Sequence, residues 1–286
     1  MPFDPAEIER IAIDLRELED RGMDRAEKSV ASGLQALSDE LIVASRRFVL
    51  SDDDFLELNR ENFNQALTII QSLDGALNAI ADDAKESLLI EIRGITADLN
   101  RSLTAAGFNA DQRLASVDRE VVSAFLNFNL NRFNGGAAAT SQVISDTIFQ
   151  SLTTRVDEET LIRRLRSTVA GTVDRAGNPM ARHARTWAMT AYNTFEGEVI
   201  QQATDRDAIG GWYYSGPLDG ANRDFCARRA GRYFTDSEIR DDVAGNPIGA
   251  ASMSNPGGWG CRHRLLPVSP EAFAEEQEAG NTGVRS

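Results

Sequence analysis

The chain has 286 residues, 42% of them apolar, with a formal charge of −14, enough for a real core in one large domain or two smaller ones. It lacks any run of about eighteen uncharged apolar residues, and Met1-Pro2-Phe3-Asp4 is neither a basic start nor an apolar signal core, so the expectation is a chain folded in a cytoplasm, with no membrane partner and no classical secretion. Residues 1 to 100 carry 22 acids and 10 bases against 22 and 20 in the remainder, so the N-terminal third repels phosphate and suits solubility or a basic protein partner.

From residue 6 to about 130 the apolar residues follow helical spacing. Ile8, Ile11, Leu15 and Leu18 form one stripe, and Leu34, Leu37, Leu41, Ala44 and Phe48 a second. Ser51 ahead of Asp52, Asp53 and Asp54 reads as an N-cap opening a new helix, continued by Phe63, Leu67, Ile70, Leu77 and Ile80. Leu88, Ile92, Ile95, Leu99 and Leu103 mark another helix, and Val117, Val121, Phe125 and Phe128 the last of this group. Stripes of this length suit a bundle better than one coiled coil.

Gly107 and Asn109 interrupt the pattern, and Asn134-Gly135-Gly136-Ala137-Ala138-Ala139 interrupts it again and reads as the better boundary. Beyond it, Val143, Ile144, Ile148 and Leu152 form a helix. Val156-Asp157-Glu158-Glu159 opens another that carries Leu161, Leu165 and Val169 on one face. Gly177-Asn178-Pro179 is a turn, and a long helix follows from Ala181 to Ala203.

After residue 209 the texture changes. Trp212-Tyr213-Tyr214 favours a strand, Gly216-Pro217 a turn and Asp236 to Ile239 a short helical turn. Residues 241 to 260 read as a long loop, Arg262 to Val268 as a return strand with Pro267 at its end or edge, and the acidic tail from Glu271 as frayed. The fold expected is mainly α: an acidic helical region over 1–133, helices over 140–205, a small α+β part over 209–270, and a flexible tail over 271–286.

Both cysteines fall in this last part, one in Asp219-x-x-x-Arg223-x-x-Cys226-x-x-x-x-Gly231-x-x-Phe234 and one in Gly257-Gly258-Trp259-Gly260-Cys261-Arg262-His263-Arg264, before Pro267. With Arg185-Thr186 and Asn193 on the preceding helix, this order resembles the phage Mu F-like minor head proteins, the head morphogenesis family of tailed bacteriophages. The resemblance spans roughly 140 to 270; the first 130 residues match only in being helical. It implies a non-enzymatic minor capsid protein of the phage head, inside the virion or at its neck. Such a protein associates with the portal and other capsid proteins, assists head assembly, DNA packaging or ejection, and passes through the host cytoplasm during assembly. Many relatives look like Cys-Pro-x-Cys and His-Pro-x-Cys-Arg-Cys at the two cysteine patches. Here Arg229 replaces one expected cysteine, Trp259 sits near the usual histidine and His263 follows Cys261, which excludes a four-thiolate zinc site.

Cys226, Cys261 and His263 are soft ligands able to share zinc, with Asp219 or water as the fourth; the bland alternative is two small buried hydrophobes and a hydrogen-bonded histidine. A Cys226–Cys261 disulfide is a third reading, open only after exposure outside the cell. A cysteine or metal-dependent hydrolase, or a toxin-like effector, is the alternative function; it would need His183 or His263 as base and lacks a nucleophile elbow. Asp52 to Asp54 lack the spacing of a calcium loop, and the loop Asn255 to Gly260 lacks the features that cradle phosphate. Arg223, Arg228, Arg229, Arg232, Arg262 and Arg264 either contact packaged genomic DNA, as a DNA-binding module of the virion, or pair with acids such as Asp219, Asp224, Asp241 and Asp242.

Overall fold

A computed structural model describes residues 5–105, 119–170, 179–204, 209–248 and 251–285. These form eight helices and one three-stranded antiparallel sheet, so the chain is mainly α with a small sheet near its C-terminus. In chain order they are α1 (Pro5–Ser45), α2 (Arg60–Ala105), α3 (Arg119–Thr153), α4 (Glu158–Ala170), α5 (Pro179–Ala203), β1 (Gly211–Ser215), α6 (Asp224–Ala227), β2 (Tyr233–Phe234), α7 (Asp236–Ala244), β3 (Arg264–Val268) and α8 (Pro270–Glu278). Among the described residues no helix is long and apolar enough to cross a membrane. Contacts divide the chain into two compact units, one of Met1–Gly22, Leu89–Asn129 and Thr186–Ser286, the other of Met23–Leu88 and Leu130–Arg185.

The second unit is a helical bundle. Its interior is filled by Leu34, Leu37 and Leu41 of α1, Leu73, Leu77 and Leu88 of α2, Ile144, Ile148 and Leu152 of α3, and Leu161, Leu165 and Val169 of α4. Each such side chain contributes about 1.5–3 kcal/mol by leaving water. The helix expected at Val156–Glu159 begins there, capped by Asp157, whose carboxylate accepts from Thr160 N at 2.8 Å. That bond is the main reason the Asp157 carboxyl lies below its ordinary value.

Several expectations change here. Ser51 does not open a helix. Its N–H donates to Phe55 O at 2.8 Å, and its hydroxyl accepts from Phe55 N, closing a tight turn with Asp54 at φ 63°. Helix α2 instead starts at Arg60, capped by the Asn59 side chain, whose Oδ1 accepts from Asn62 N at 2.8 Å. Over its first turns the buried stripe of α2 is shifted by one residue, to Asn62, Ala66 and Ile69, which leaves Phe63 47% exposed, whereas Leu77 and Ile80 are buried as expected. Asn62 takes the inner place because its amide answers the backbone of Val49 in both directions and the carbonyl of Glu57. These bonds give the Val49 N–H its partner and add to those that Val49 O accepts from Glu57 N and Glu57 O from Asn59 N.

Ile80 and Leu88 belong to one continuous helix rather than two, and Asn134 to Ala139 lies inside α3 rather than interrupting it. Each glycine there costs about 1 kcal/mol of helix propensity relative to alanine, which the buried Phe133, Ala137, Ile144 and Ile148 on either side outweigh. The side chains of Ile8, Ile11, Leu15, Leu18, Ile95, Leu99, Leu103, Val121, Phe125 and Phe128, and residues Gly107, Asn109, Val117, Gly177 and Asn178, lie outside the described residues.

In the first unit the sheet runs in the order β2-β1-β3, with Trp212 paired to Phe234 on one side and to Pro267 on the other. Pro267 is tolerated because β3 is an edge strand and needs no outward donor. Trp212 and Tyr214, two apart on β1, are both fully buried, and the Trp212 indole N–H donates to Asp236 Oδ1 at 2.8 Å. The expected short turn at Asp236 extends to the nine-residue α7, held by a reciprocal capping box between Thr235 and Glu238, so the loop begins only after it. The tail does not fray. Ser269 caps α8, Phe273 is buried, and the segment beyond is pinned to β2 by Tyr233 N donating to Asn281 O and Gly283 N donating to Tyr233 O at 2.9 Å. Arg232 adds bonds to the carbonyls of Gly280, Thr282 and Gly283.

A Cβ built at Gly75 or Gly135 meets nothing within 4 Å. Gly75→Ala and Gly135→Ala are each expected to stabilise by about 0.5–1 kcal/mol, read as a higher urea midpoint; a lower midpoint for Gly135→Ala would contradict the continuity of α3.

Candidate metal centre and its buried ion cluster

Three short segments deliver the chemistry-bearing side chains. Helix α6 presents Cys226. Two successive turns, Gly258 N donating to Asn255 O and Cys261 N donating to Gly258 O at 3.0 Å, present Cys261, and β3 follows directly after His263. Gly258 (φ 74°) and Gly260 (φ 66°) carry the left-handed backbone this path requires. The Arg223 guanidinium clamps the loop by donating to the carbonyls of Gly257, at 3.0 Å, and Trp259. The Asn193 amide donates to Cys261 O, and the Thr190 hydroxyl accepts from Gly260 N at 3.0 Å. Gly197 lets α5 touch the same loop, since a Cβ there would lie 2.1 Å from Ser254 O.

The result brings Cys226, Cys261 and His263 together, all buried, with one ligand atom from each within 4.8 Å of the others. The two sulfurs are 3.8 Å apart and both thiols are free. Cys261 Sγ lies 3.7 Å from His263 Nδ1 and accepts from His263 N at 3.2 Å. His263 Nε2 faces Pro217 O at 3.0 Å; a carbonyl can only accept, so Nε2 carries a proton, and Nδ1 is the nitrogen that faces the sulfurs. The Tyr214 hydroxyl donates to Cys226 Sγ at 3.4 Å. The hydrogen bond from Cys261, stronger than the opposing effect of burial, holds the Cys226 thiol down at about 4, with His263 and Tyr214 assisting. The same bond, with burial, pushes Cys261 well above its ordinary value.

Asp219, expected as a fourth ligand, is not in this group. Its carboxylate is engaged by both Arg262 nitrogens at 2.6 and 2.8 Å, which holds it down to about 2, and it also accepts from Ala221 N. Gly231 (φ 74°) turns the chain into β2. Arg185 lies in the other unit, paired with Asp24 at 2.6 Å. His183 also lies there, outside the cysteine cluster.

Most of the arginines turn inward. Arg229 pairs with Asp242 at 2.8 Å and stacks on Phe225, Arg262 pairs with Asp219, and Arg223 and Arg232 are spent on backbone carbonyls. Arg264, 1% exposed, sits between Glu19 at 2.7 Å and Glu196 at 3.0 Å. Burial, opposed by Arg264 and reinforced by the neighbouring glutamate, raises Glu196 from 4.5 to about 8, and burial raises Glu19 to about 6. One guanidinium between two carboxylates leaves the cluster one negative charge in excess, which a proton on Glu196 removes. Glu19 lies 245 positions from Arg264 and had no sequence signal. Glu196 had a weak one, an acid four residues after Tyr192 on the buried face of α5.

No protein-family model, no curated protein and no solved structure matches the chain.

Two outcomes follow from this geometry. A Cβ at Gly257 would lie 2.2 Å from Cys261 Sγ and 2.6 Å from Cys226 Sγ. Gly257→Ala should therefore destabilise the chain by about 1–3 kcal/mol and alter thiol reactivity toward an alkylating reagent; unchanged values would mean that the loop does not approach the sulfurs. The native Glu196 carboxyl holds its proton up to about pH 8 and the unfolded one only to 4.5. The native state thus binds more protons across that window, and its stability falls as pH rises through it. Denaturation midpoints measured from pH 4.5 to 8 should show this decline in the native chain and a flatter profile in Glu196→Gln.

Proposed function

We propose that the chain is a structural, non-enzymatic component of a tailed-phage head, a minor capsid protein that associates with the portal or the capsid interior and assists head assembly, DNA packaging or ejection. The observation that carries this reading is how the residues of the Mu F-like order are used. Arg223 clamps the loop, Asp219 holds Arg262, Asn193 holds the carbonyl of Cys261, and Cys226, Cys261 and His263 meet in the interior. These residues close a small module around two sulfurs that are 2% and 3% exposed, as suits a docking part. The helices of the acidic N-terminal third would give reach and further protein contact.

Two alternatives are weaker on specific grounds. A cysteine hydrolase needs an accessible thiolate, and Cys226 and Cys261 are 2% and 3% exposed. A DNA-binding module needs outward cations, and five of the six arginines of the two patches are engaged within the fold, with Arg228 left exposed.

Cross-linking and mass spectrometry of purified procapsids and mature particles test the proposal. The chain should be present well below the major capsid protein in amount, with cross-links from residues 209–285 to the portal. Its absence from both kinds of particle would overturn the head role, and portal contacts made only by residues 1–130 would overturn the docking assignment.

A further inference from the structure

The cysteine cluster has the dimensions of half-built metal coordination. Two Zn–S bonds of about 2.3 Å at the tetrahedral angle hold their sulfurs about 3.8 Å apart, and a Zn–S with a Zn–N bond of about 2.0–2.1 Å holds sulfur and nitrogen about 3.6 Å apart. Cys226 Sγ and Cys261 Sγ are 3.8 Å apart, and Cys261 Sγ and His263 Nδ1 are 3.7 Å apart. Two edges of the tetrahedron are thus already formed, and the third, between Cys226 and His263, lies within 4.8 Å.

The surroundings match a ligand set as well. His263 is oriented by the Pro217 carbonyl on its far nitrogen, the outer contact that metal-bound imidazoles use to fix the tautomer. Cys261 Sγ accepts a backbone N–H and Cys226 Sγ the Tyr214 hydroxyl. Gly257 and Gly216 leave the space that sulfur and imidazole occupy, since a Cβ at Gly216 would lie 2.1 Å from the His263 ring. On its outer side the cluster borders a cleft of about 60 Å³ whose lining includes Asn222, Arg223, Gly260 and Arg262. That is room for a water molecule.

We infer that Cys226, Cys261 and His263 bind one zinc ion, with water from this cleft as the fourth ligand in place of Asp219. The bound ion ties α6, the glycine loop and the start of β3 at one point, so it stabilises the module. Zinc-water hydrolysis commonly uses a nearby carboxylate as general base, and none lines the cleft. The inference concerns this module alone and stands or falls independently of the role in the head.

The test uses the full chain, purified without chelator and analysed for metal. One zinc per chain is expected. Replacement by Co²⁺ should produce a thiolate-to-cobalt charge-transfer band in the near ultraviolet and the visible bands of tetrahedral cobalt, and added azide should shift the visible bands by entering the fourth position. Cys226→Ser and Cys261→Ser should each lose the metal. Because a ligand variant can fail to fold, Asp219→Asn is the second arm and should retain a full equivalent of zinc. The site is overturned if the folded, reduced native chain shows no charge-transfer band with Co²⁺, or if freshly purified chain carries a Cys226–Cys261 disulfide. Loss of zinc in Asp219→Asn, or indifference to azide, overturns the water ligand.

Discussion

The constraint on which the C-terminal module depends is a guanidinium that cannot reach water. Arg264 enters β3 buried, and taking an unpaired cation out of water is a cost no module of this size could absorb. Glu19 on α1 and Glu196 on α5 answer it from two sides. One side chain thereby fixes a strand against two helices remote from it in sequence. The arrangement is not a strong source of net stability, because both carboxylates also lose their hydration. Its effect is geometric: few other placements of α1 and α5 satisfy the charge. With two acids and one base, the cluster balances by keeping a proton, so the packing is tied to pH in a way apolar contacts are not.

Arg264 stands next to His263 and three residues after Cys261, so what orients the strand also orients the cluster. Asn193 spans the two, its amide on the Cys261 carbonyl and its Oδ1 3.5 Å from Arg264. Glycine supplies the complementary condition. At Gly197, Gly216 and Gly257 a single added carbon would collide with backbone, imidazole or sulfur. The module is therefore assembled by close approach and polar clamps around a modest aromatic core of Trp212, Tyr214 and Phe234. The same economy governs surface charge. Of the six guanidiniums that look in sequence like a basic patch, Arg229 and Arg264 are buried in ion pairs, Arg262 pairs with Asp219 at the surface, and Arg223 and Arg232 are held by backbone carbonyls.

Much of this was legible in the sequence where the signal is local. The aromatic run of β1, the start of α4 at Asp157, the extent of α5 and the closeness of Cys261 to His263 all follow from residues within a few positions of one another. Three features escaped because local pattern competes with a distant demand. Asn62 displaced Phe63 from the buried face because the loop before it had backbone groups to satisfy. Gly135 and Gly136 read as a break, yet buried neighbours on both sides carry the helix through. The tail read as frayed because an acidic, glycine-containing stretch lacks propensity, and it is β2 that orders it.

By itself the sequence determined the helical character of the chain, the change of texture after residue 209, and the inventory of candidate ligands, two thiols and one imidazole; that Cys226 meets the other two was decided by the fold. Periodicity, capping and covalent spacing are properties of neighbours, and they survive in a one-dimensional reading. Only the tertiary structure decided that Asp219 belongs to Arg262 and not to the cluster, that five of the six patch arginines have partners within the fold, and that Glu19 and Glu196 hold Arg264. Those are choices among partners for a buried or half-buried charge. Desolvation makes such choices stringent, and they depend on which side chains meet in space, which spacing along a chain does not record.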